Sequence, residues 1–346
     1  MIIHEDALLD FIKQTAEKKL GGFEQTILPV IDTYEDQENT FLSLYKPGKT
    51  IFLDGFRTVD PLKILFYMPR EKVAPFAQNT KKRIVWGVKA CDLEALAVLD
   101  AAMLHGDFQD PVFKTWRENT VIVSTDCTEA GPTCHCTLMG GHPYPEKGFD
   151  LNLSKVGESY VITSGSEKGE DLLHLMRSTV TITEGGVSLK AEITRNRKKV
   201  ERQLIKRNKE LEREKPYRSL KSSPIRRWED ASATCVGCGA CTNVCPTCYC
   251  LILNDETRAQ KFVKVRSFDS CQWNGYARVA GGSSPRPKMF ERFRNRYLCK
   301  FQFMKSNFNL YGCTGCGRCT DACAGEIDFR KVVKSINDRV RMEVAG

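Results

Sequence analysis

Residues 235–246 read Cys235-Val-Gly-Cys238-Gly-Ala-Cys241-Thr-Asn-Val-Cys245-Pro246, and residues 313–323 repeat the pattern as Cys313-Thr-Gly-Cys316-Gly-Arg-Cys319-Thr-Asp-Ala-Cys323. Both are C-x2-C-x2-C-x3-C. Two-residue gaps let three thiolates wrap one face of an iron–sulfur cubane, while the intervening glycines allow backbone N–H groups to turn toward its sulfides. The fourth cysteine of such a run reaches the neighbouring cluster. The spacing therefore predicts one [4Fe–4S] cluster on Cys235, Cys238, Cys241 and Cys323, and a second on Cys313, Cys316, Cys319 and Cys245. Zinc ribbons use two ligands per knuckle, not four in series, so iron–sulfur is the expected chemistry. Ala324 replaces the proline that usually follows the fourth cysteine, which removes a turn constraint but no ligand.

The surrounding chain has 346 residues, 41% hydrophobic and 27% charged, long enough for two or more domains with a sizeable core. Its 16 cysteines are clustered, and a chain of this size needs no disulfide staples, so the thiols read as metal ligands first. The opening MIIHEDALLDFIKQ is acidic where a secretory signal would be basic, and no apolar run approaches the ~18 to 20 residues of a membrane span. A cytoplasmic protein without membrane attachment is expected.

Residues 1–190 alternate short apolar runs (Thr50–Leu53, Ile64–Met68, Arg83–Val88, Val121–Val123) with helical stretches, which predicts an α/β domain with a partly parallel sheet. The clearest unit is a strand near 83–89, a helix near 93–104 with Asp92 as N-cap, and a second strand near 120–125. A crossover of that length makes the two strands parallel. Residues 191–221 are expected to be a charged helical linker. Arg195–Lys221 holds twelve Lys and Arg against four acids, much of the net +9, while Ile193, Val200, Leu204 and Leu211 share one helical face. With no aromatic residues interleaved in that helix, a solvated helix is favoured over a nucleic-acid site. Residues 222–346 then form an α-helical, ferredoxin-like (α+β) dicluster domain with a large insert at 246–312.

The parallel unit has a chemical consequence. Cys91 follows the first strand and Cys127 the second, so both lie at the carboxyl edge of one sheet, where open α/β sheets place ligand sites. Cys134 and Cys136 follow on one loop. These four thiols are a complete ligand set for a third iron–sulfur cluster. Zinc is the competing occupant, with His135 or His142 able to replace one thiol, and packed core cysteines are the bland alternative.

The insert carries CPTCYC, Phe268-Asp269-Ser270-Cys271, a Pro-Arg-Pro segment and RFRNRYLCKF ahead of GCTGCGRC. With GVKACDLEALAVLD and DCTEAGPTCHC, these segments closely resemble the dicluster [4Fe–4S] electron-transfer subunits of the sulfhydrogenase-beta and anaerobic-sulfite-reductase-A type, over about residues 45 to 335. Two departures stand out: His135 replaces an expected phenylalanine, and Cys299 an expected histidine. Cys299 joins Cys248, Cys250 and Cys271 as insert thiols that are either a further site or small buried hydrophobes.

No glycine-rich nucleotide fingerprint follows a strand, so the chain is not expected to bind NAD(P) or ATP itself. Clusters fully ligated by cysteine leave no open position, which points to single-electron relay. The resemblance implies a flavin/NAD(P)-binding subunit and a catalytic redox subunit as partners, the latter a hydrogenase, a sulfite or sulfur reductase or a heterodisulfide-reductase-like module, with RFRNRYLCKF as a docking face. Two other readings are weighed: a chain itself catalytic in sulfur or disulfide reduction at the N-terminal or insert site, and an iron–sulfur nucleic-acid-binding protein.

Overall fold

A computed structural model describes residues 1–34, 37–76, 81–186, 188–211 and 220–344. Residues 212–219 of the expected linker lie outside the described residues. The first 164 residues supply strands β1 (Ile2–His4), β2 (Gln25–Tyr34), β3 (Gln37–Leu44), β4 (Arg70–Ala74), β5 (Arg83–Val88), β6 (Thr120–Thr125), β7 (Leu151–Val156) and β8 (Ser159–Ser164). All but β4 join one sheet in the order β1-β8-β7-β6-β5-β2-β3. The sheet is parallel in its middle, from β2 through β5 and β6 to β7, and antiparallel at its edges.

Every residue of β5 is buried, as expected for a parallel strand covered on both faces. Ile84 and Trp86 pack with Phe11 of α1 (Glu5–Glu17), while Val85 and Val88 pack with Leu93, Leu96 and Leu99 of α2 (Ala90–Leu104) and Phe113 of α3 (Pro111–Glu118). Helix α4 (Glu167–Thr179) adds Leu172 and Met176 to the α1 face. Burying each of these large side chains contributes about 1.5–3 kcal/mol.

Three local expectations differ from the structure. Helix α2 opens at Ala90 with Lys89 as its N-cap, and Asp92 is turned into a buried salt bridge instead of capping. Ile64 lies in a single 3₁₀ turn after Pro61, because Leu62 and Phe66 bury against α2. Ile51 makes only an isolated bridge to Val30.

Helix α5 (Ser188–Arg207) lies against β7 and the turn that begins at Cys136, burying Val200 and Leu204. Beyond it come α6 (Ile225–Ala231), α7 (Ala240–Asn243), a hairpin of β9 (Leu251–Arg258) and β10 (Lys261–Phe268), and α8 (Met289–Leu298). A π-turn at Cys299–Phe303, α9 (Met304–Phe308), α10 (Arg318–Asp321) and α11 (Phe329–Val344) complete the chain. This half packs on an aromatic core of Trp228, Phe293, Tyr297, Phe301 and Phe329, in which Tyr297 and Phe329 stack at 4.8 Å.

The two halves share structure. β10 pairs with β9 on one side and with β4 on the other, so a strand from the N-terminal half completes the insert's sheet. Arg266 of β10, almost wholly buried, bonds Glu71 at 2.6 Å and also meets Asp110. Arg318 of α10 grips Asp92 of α2 through two bonds of 2.9 and 2.7 Å. Among the described residues no helix is long and apolar enough to cross a membrane.

Candidate iron–sulfur centres

The two cysteine runs adopt the same local backbone. Gly237 and Gly239 have φ of 69° and 82°, and Gly315 and Gly317 have 68° and 78°. This left-handed conformation is one that only glycine visits without strain. Gly239 and Gly317 each precede a one-turn helix that carries the third cysteine, Cys241 in α7 and Cys319 in α10.

Cys313, Cys316, Cys319 and Cys245 line one cavity together with His135, Thr247, Arg296, Lys300 and Phe329. Three of these thiols come from the second run and one from the first. Burial pushes the Cys313 thiol up to about 12 and Cys316 to about 11. Without metal they stay protonated, and a bound cation would supply the charge that favours thiolate. Among the described residues Thr314 Oγ1 and Arg296 Nε, buried at this cavity, have no hydrogen-bond partner, leaving donors free to face an anionic occupant.

For the other set, Thr234 Oγ1 donates to Gly325 O at 2.8 Å, which brings the segment before Cys235 against the loop after Cys323. Cys241, pushed up to about 11 by burial and held back by Arg296, feels the charges of Cys319, Cys271 and Cys235. Cys238 is exposed, and its carbonyl accepts from Trp273 Nε1 at 3.1 Å.

In the N-terminal half, Cys91, Cys127, Cys134 and Cys136 line a single cavity roofed by Val200 and Leu204 of α5. Cys91 sits in the first turn of α2, and Cys127 stands two residues past β6, at the carboxyl edge of parallel strands. Asn208 Nδ2 donates to Cys134 O at 3.0 Å, and His135 N to Gly315 O at 2.7 Å. Burial pushes the Cys127 thiol up to about 12, with buried Lys89 opposing the rise. The ring of His135 belongs to the other cavity, its Nδ1 2.9 Å from Thr133 O and its Nε2 4.0 Å from Cys313 Sγ. His142 does line the N-terminal cavity, with Nδ1 2.9 Å from Glu201.

That cavity adjoins the dicluster region directly. Cys316 and Gly315 are among its walls, and Cys134 Sγ lies 3.9 Å from Cys316 O. A Cβ added to Gly315 would stand 2.5 Å from the Cys136 backbone. Among the described residues, no three His, Cys, Asp or Glu side chains are grouped so as to hold a single metal ion. The thiols are spread around cavities instead.

Three buried cations, not anticipated from the sequence, surround the dicluster thiols. Lys300 Nζ lies 3.0 Å from Cys245 Sγ, 3.5 Å from Cys248 Sγ and 2.9 Å from Gly312 O. Lys63 Nζ donates to Thr242 O and Cys248 O, and Arg296 Nη2 donates weakly to Cys241 O at 3.4 Å. None of the three is paired with a carboxylate among the described residues. An unpaired buried charge is costly, and four thiolates around a cluster carry the negative charge that would offset it. Already the Cys245 thiol is held well below its usual range by a hydrogen bond from Cys248, with Lys300, Arg296 and Lys63 assisting.

The arginine-rich RFRNRYLCKF segment is α8 and the π-turn, and it turns inward. Arg292, Arg296 and Lys300 are all buried, so these cations do not form a free docking face.

A family model described as a 4Fe-4S dicluster domain matches residues 234–327. The chain is also 32% identical over 298 residues to the sulfhydrogenase 2 subunit beta of Pyrococcus furiosus, an alignment covering 83% of this chain and 85% of that protein.

Proposed function

Because this chain belongs to the family of the sulfhydrogenase beta subunit, we propose that it is an iron–sulfur electron-transfer subunit of a hydrogenase-type complex. It would relay single electrons between a flavin/NAD(P)-binding subunit and a catalytic redox subunit. The observation that carries this reading is the shared cavity of Cys313, Cys316, Cys319 and Cys245, the crossed ligand set of a two-cluster ferredoxin. Cys235, Cys238, Cys241 and Cys323 would hold the second cluster, and Cys91, Cys127, Cys134 and Cys136 a third.

Bound clusters supply one-electron redox chemistry and nothing that needs an open coordination site. The protein's residues do the rest. Eight cysteines in the dicluster region are used as ligands, leaving no vacant position there. Lys300 donates to the Cys245 sulfur, and a cation there favours the more negative, reduced state. Phe301, Phe329 and Tyr297 belong to a core that packs against Cys235, Cys313 and Cys319 and shields those thiols from water. The Cys134–Cys316 contact makes the N-terminal ligand set a neighbour of the dicluster, and exposed Cys238 marks where the relay meets a partner.

The basic helix α5 supports this reading over nucleic-acid binding. Arg197 bonds Asp126 at 2.8 Å, and Arg207 donates to the carbonyls of Ala130 and Gly131 on the N-terminal cysteine loop.

The test is iron and acid-labile sulfide per chain after anaerobic reconstitution of the full-length protein. Cys319→Ser should lose about four iron atoms, and Cys134→Ser with Cys136→Ser about four others. Unchanged iron in the first variant would overturn the dicluster assignment, and unchanged iron in the second would remove the third cluster alone.

A further inference from the structure

Four cysteines remain outside these sets, all within the insert between the two runs. Cys250 directly precedes β9, and Cys271 follows the end of β10 by three residues. The hairpin register pairs Leu251 with Phe268, and Asp269 N donates to Cys250 O at 3.0 Å. Cys250 and Cys271 are thus held at the two feet of one hairpin. Cys248 is two residues upstream of the first foot. Cys299 opens the π-turn that ends α8. Such one-turn π segments occur frequently at functional sites, because the extra residue re-aims the side chains around it.

Cys299 directly precedes Lys300, whose Nζ reaches the Cys248 sulfur, so the π-turn adjoins the first foot of the hairpin. Three of the four sulfurs have a polar partner within reach. Lys300 Nζ lies 3.5 Å from Cys248 Sγ, Gln272 Nε2 3.3 Å from Cys271 Sγ, and the Tyr276 hydroxyl 3.6 Å from Cys250 Sγ. A neutral thiol is a weak acceptor, whereas a metal-bound thiolate is stabilised by such donors. Packed structural cysteines have no need of an ammonium, an amide and a phenol aimed at their sulfurs.

We propose that Cys248, Cys250, Cys271 and Cys299 ligate a further [4Fe–4S] cluster. Its position is next to the dicluster, because Cys248 N donates to Cys245 O at 3.3 Å, and Cys245 is the ligand that the first run lends to the second cluster. Lys300 lies between the two sets, within 3.0 Å of one sulfur and 3.5 Å of the other. The cluster on Cys313, Cys316, Cys319 and Cys245 then adjoins the N-terminal set through Cys134 and the insert set through Cys248. Electrons arriving there would have a branch rather than a single line.

The experiment counts clusters in the full-length chain, reconstituted anaerobically with ferrous iron and sulfide, by native mass spectrometry and by iron, zinc and sulfide analysis. Cys271→Ser/Cys299→Ser should lose about four iron and four sulfide relative to wild type, with no zinc replacing them. Unchanged iron, or a loss of zinc instead of iron, overturns the proposal. Should that variant fail to fold, Cys134→Ser/Cys136→Ser decides, since it lacks the N-terminal set and leaves the insert intact. That chain should retain three clusters, and a chain that retains only two overturns the proposal. A loss confined to the N-terminal variant would fault this inference while leaving the proposed function standing.

Discussion

Replacing Asp92 by alanine tests how the two halves of the molecule are held together. Arg318 is 1% exposed and Asp92 5%, and their two bonds of 2.9 and 2.7 Å are charge-assisted. Hydrogen bonds to charged groups contribute roughly 1.5–3 kcal/mol each. Removing one partner of a buried pair costs about 3–5 kcal/mol, because the other charge stays buried. Arg318 would keep its bonds to the carbonyls of Thr58, Val59 and Asp60 but lose the carboxylate it is paired with. A built-in comparison exists: Arg117 meets Asp100 through two bonds of 2.8 and 2.9 Å, yet these side chains are 24% and 21% exposed. With the same bonds but more water, Asp100→Ala should cost at most about 1 kcal/mol. Anaerobic urea unfolding followed by far-ultraviolet circular dichroism reads both. Asp92→Leu/Arg318→Met should regain most of the Asp92→Ala loss. Equal costs for Asp92→Ala and Asp100→Ala would refute the argument from burial.

Three further outcomes are expected. Gly315→Ala should lower iron content and loosen the N-terminal cysteine loop, because the new Cβ would meet the Cys136 backbone at 2.5 Å and the φ is +68°; full iron with unaltered protease resistance would contradict this. Lys300→Met should lower one cluster potential by roughly 65–130 mV, the one-electron equivalent of one charge-assisted hydrogen bond, and a redox titration showing no change would exclude the lysine as a tuning group. Cys241→Ser should remove about four iron atoms while the signal of the cluster on Cys313, Cys316, Cys319 and Cys245 persists in electron paramagnetic resonance; loss of no iron would exclude Cys241 as a ligand.

The parts of the molecule encoded locally were readable from the residues. The cysteine spacing announced the two glycine-turned loops, and the length of the crossover made β5 and β6 parallel. What escaped was encoded by residues far apart in the chain. β4 pairs with β10 across about 190 residues, and nothing in REKVA points to that partner. Val200 and Leu204 were visible as one helical face, but not that the face closes the N-terminal cavity. Asp92 resembled an N-cap because its partner Arg318 lies 226 residues away. One missed feature did have a signal. Arg296 and Lys300 stand four residues apart, which sets two cations on one side of a helical stretch between the two cysteine runs. Anionic clusters need such cations nearby, and that need outweighed exposure to solvent.

The central claim, electron relay within a complex, is tested most directly on the native assembly purified without oxygen. Reduced nicotinamide nucleotide would be added and the sample frozen at successive times for electron paramagnetic resonance. A flavoprotein subunit should co-purify, and the iron–sulfur signals of this chain should appear on the time scale of turnover. A chain that purifies alone, with clusters reduced only by small redox dyes, would contradict relay within a complex.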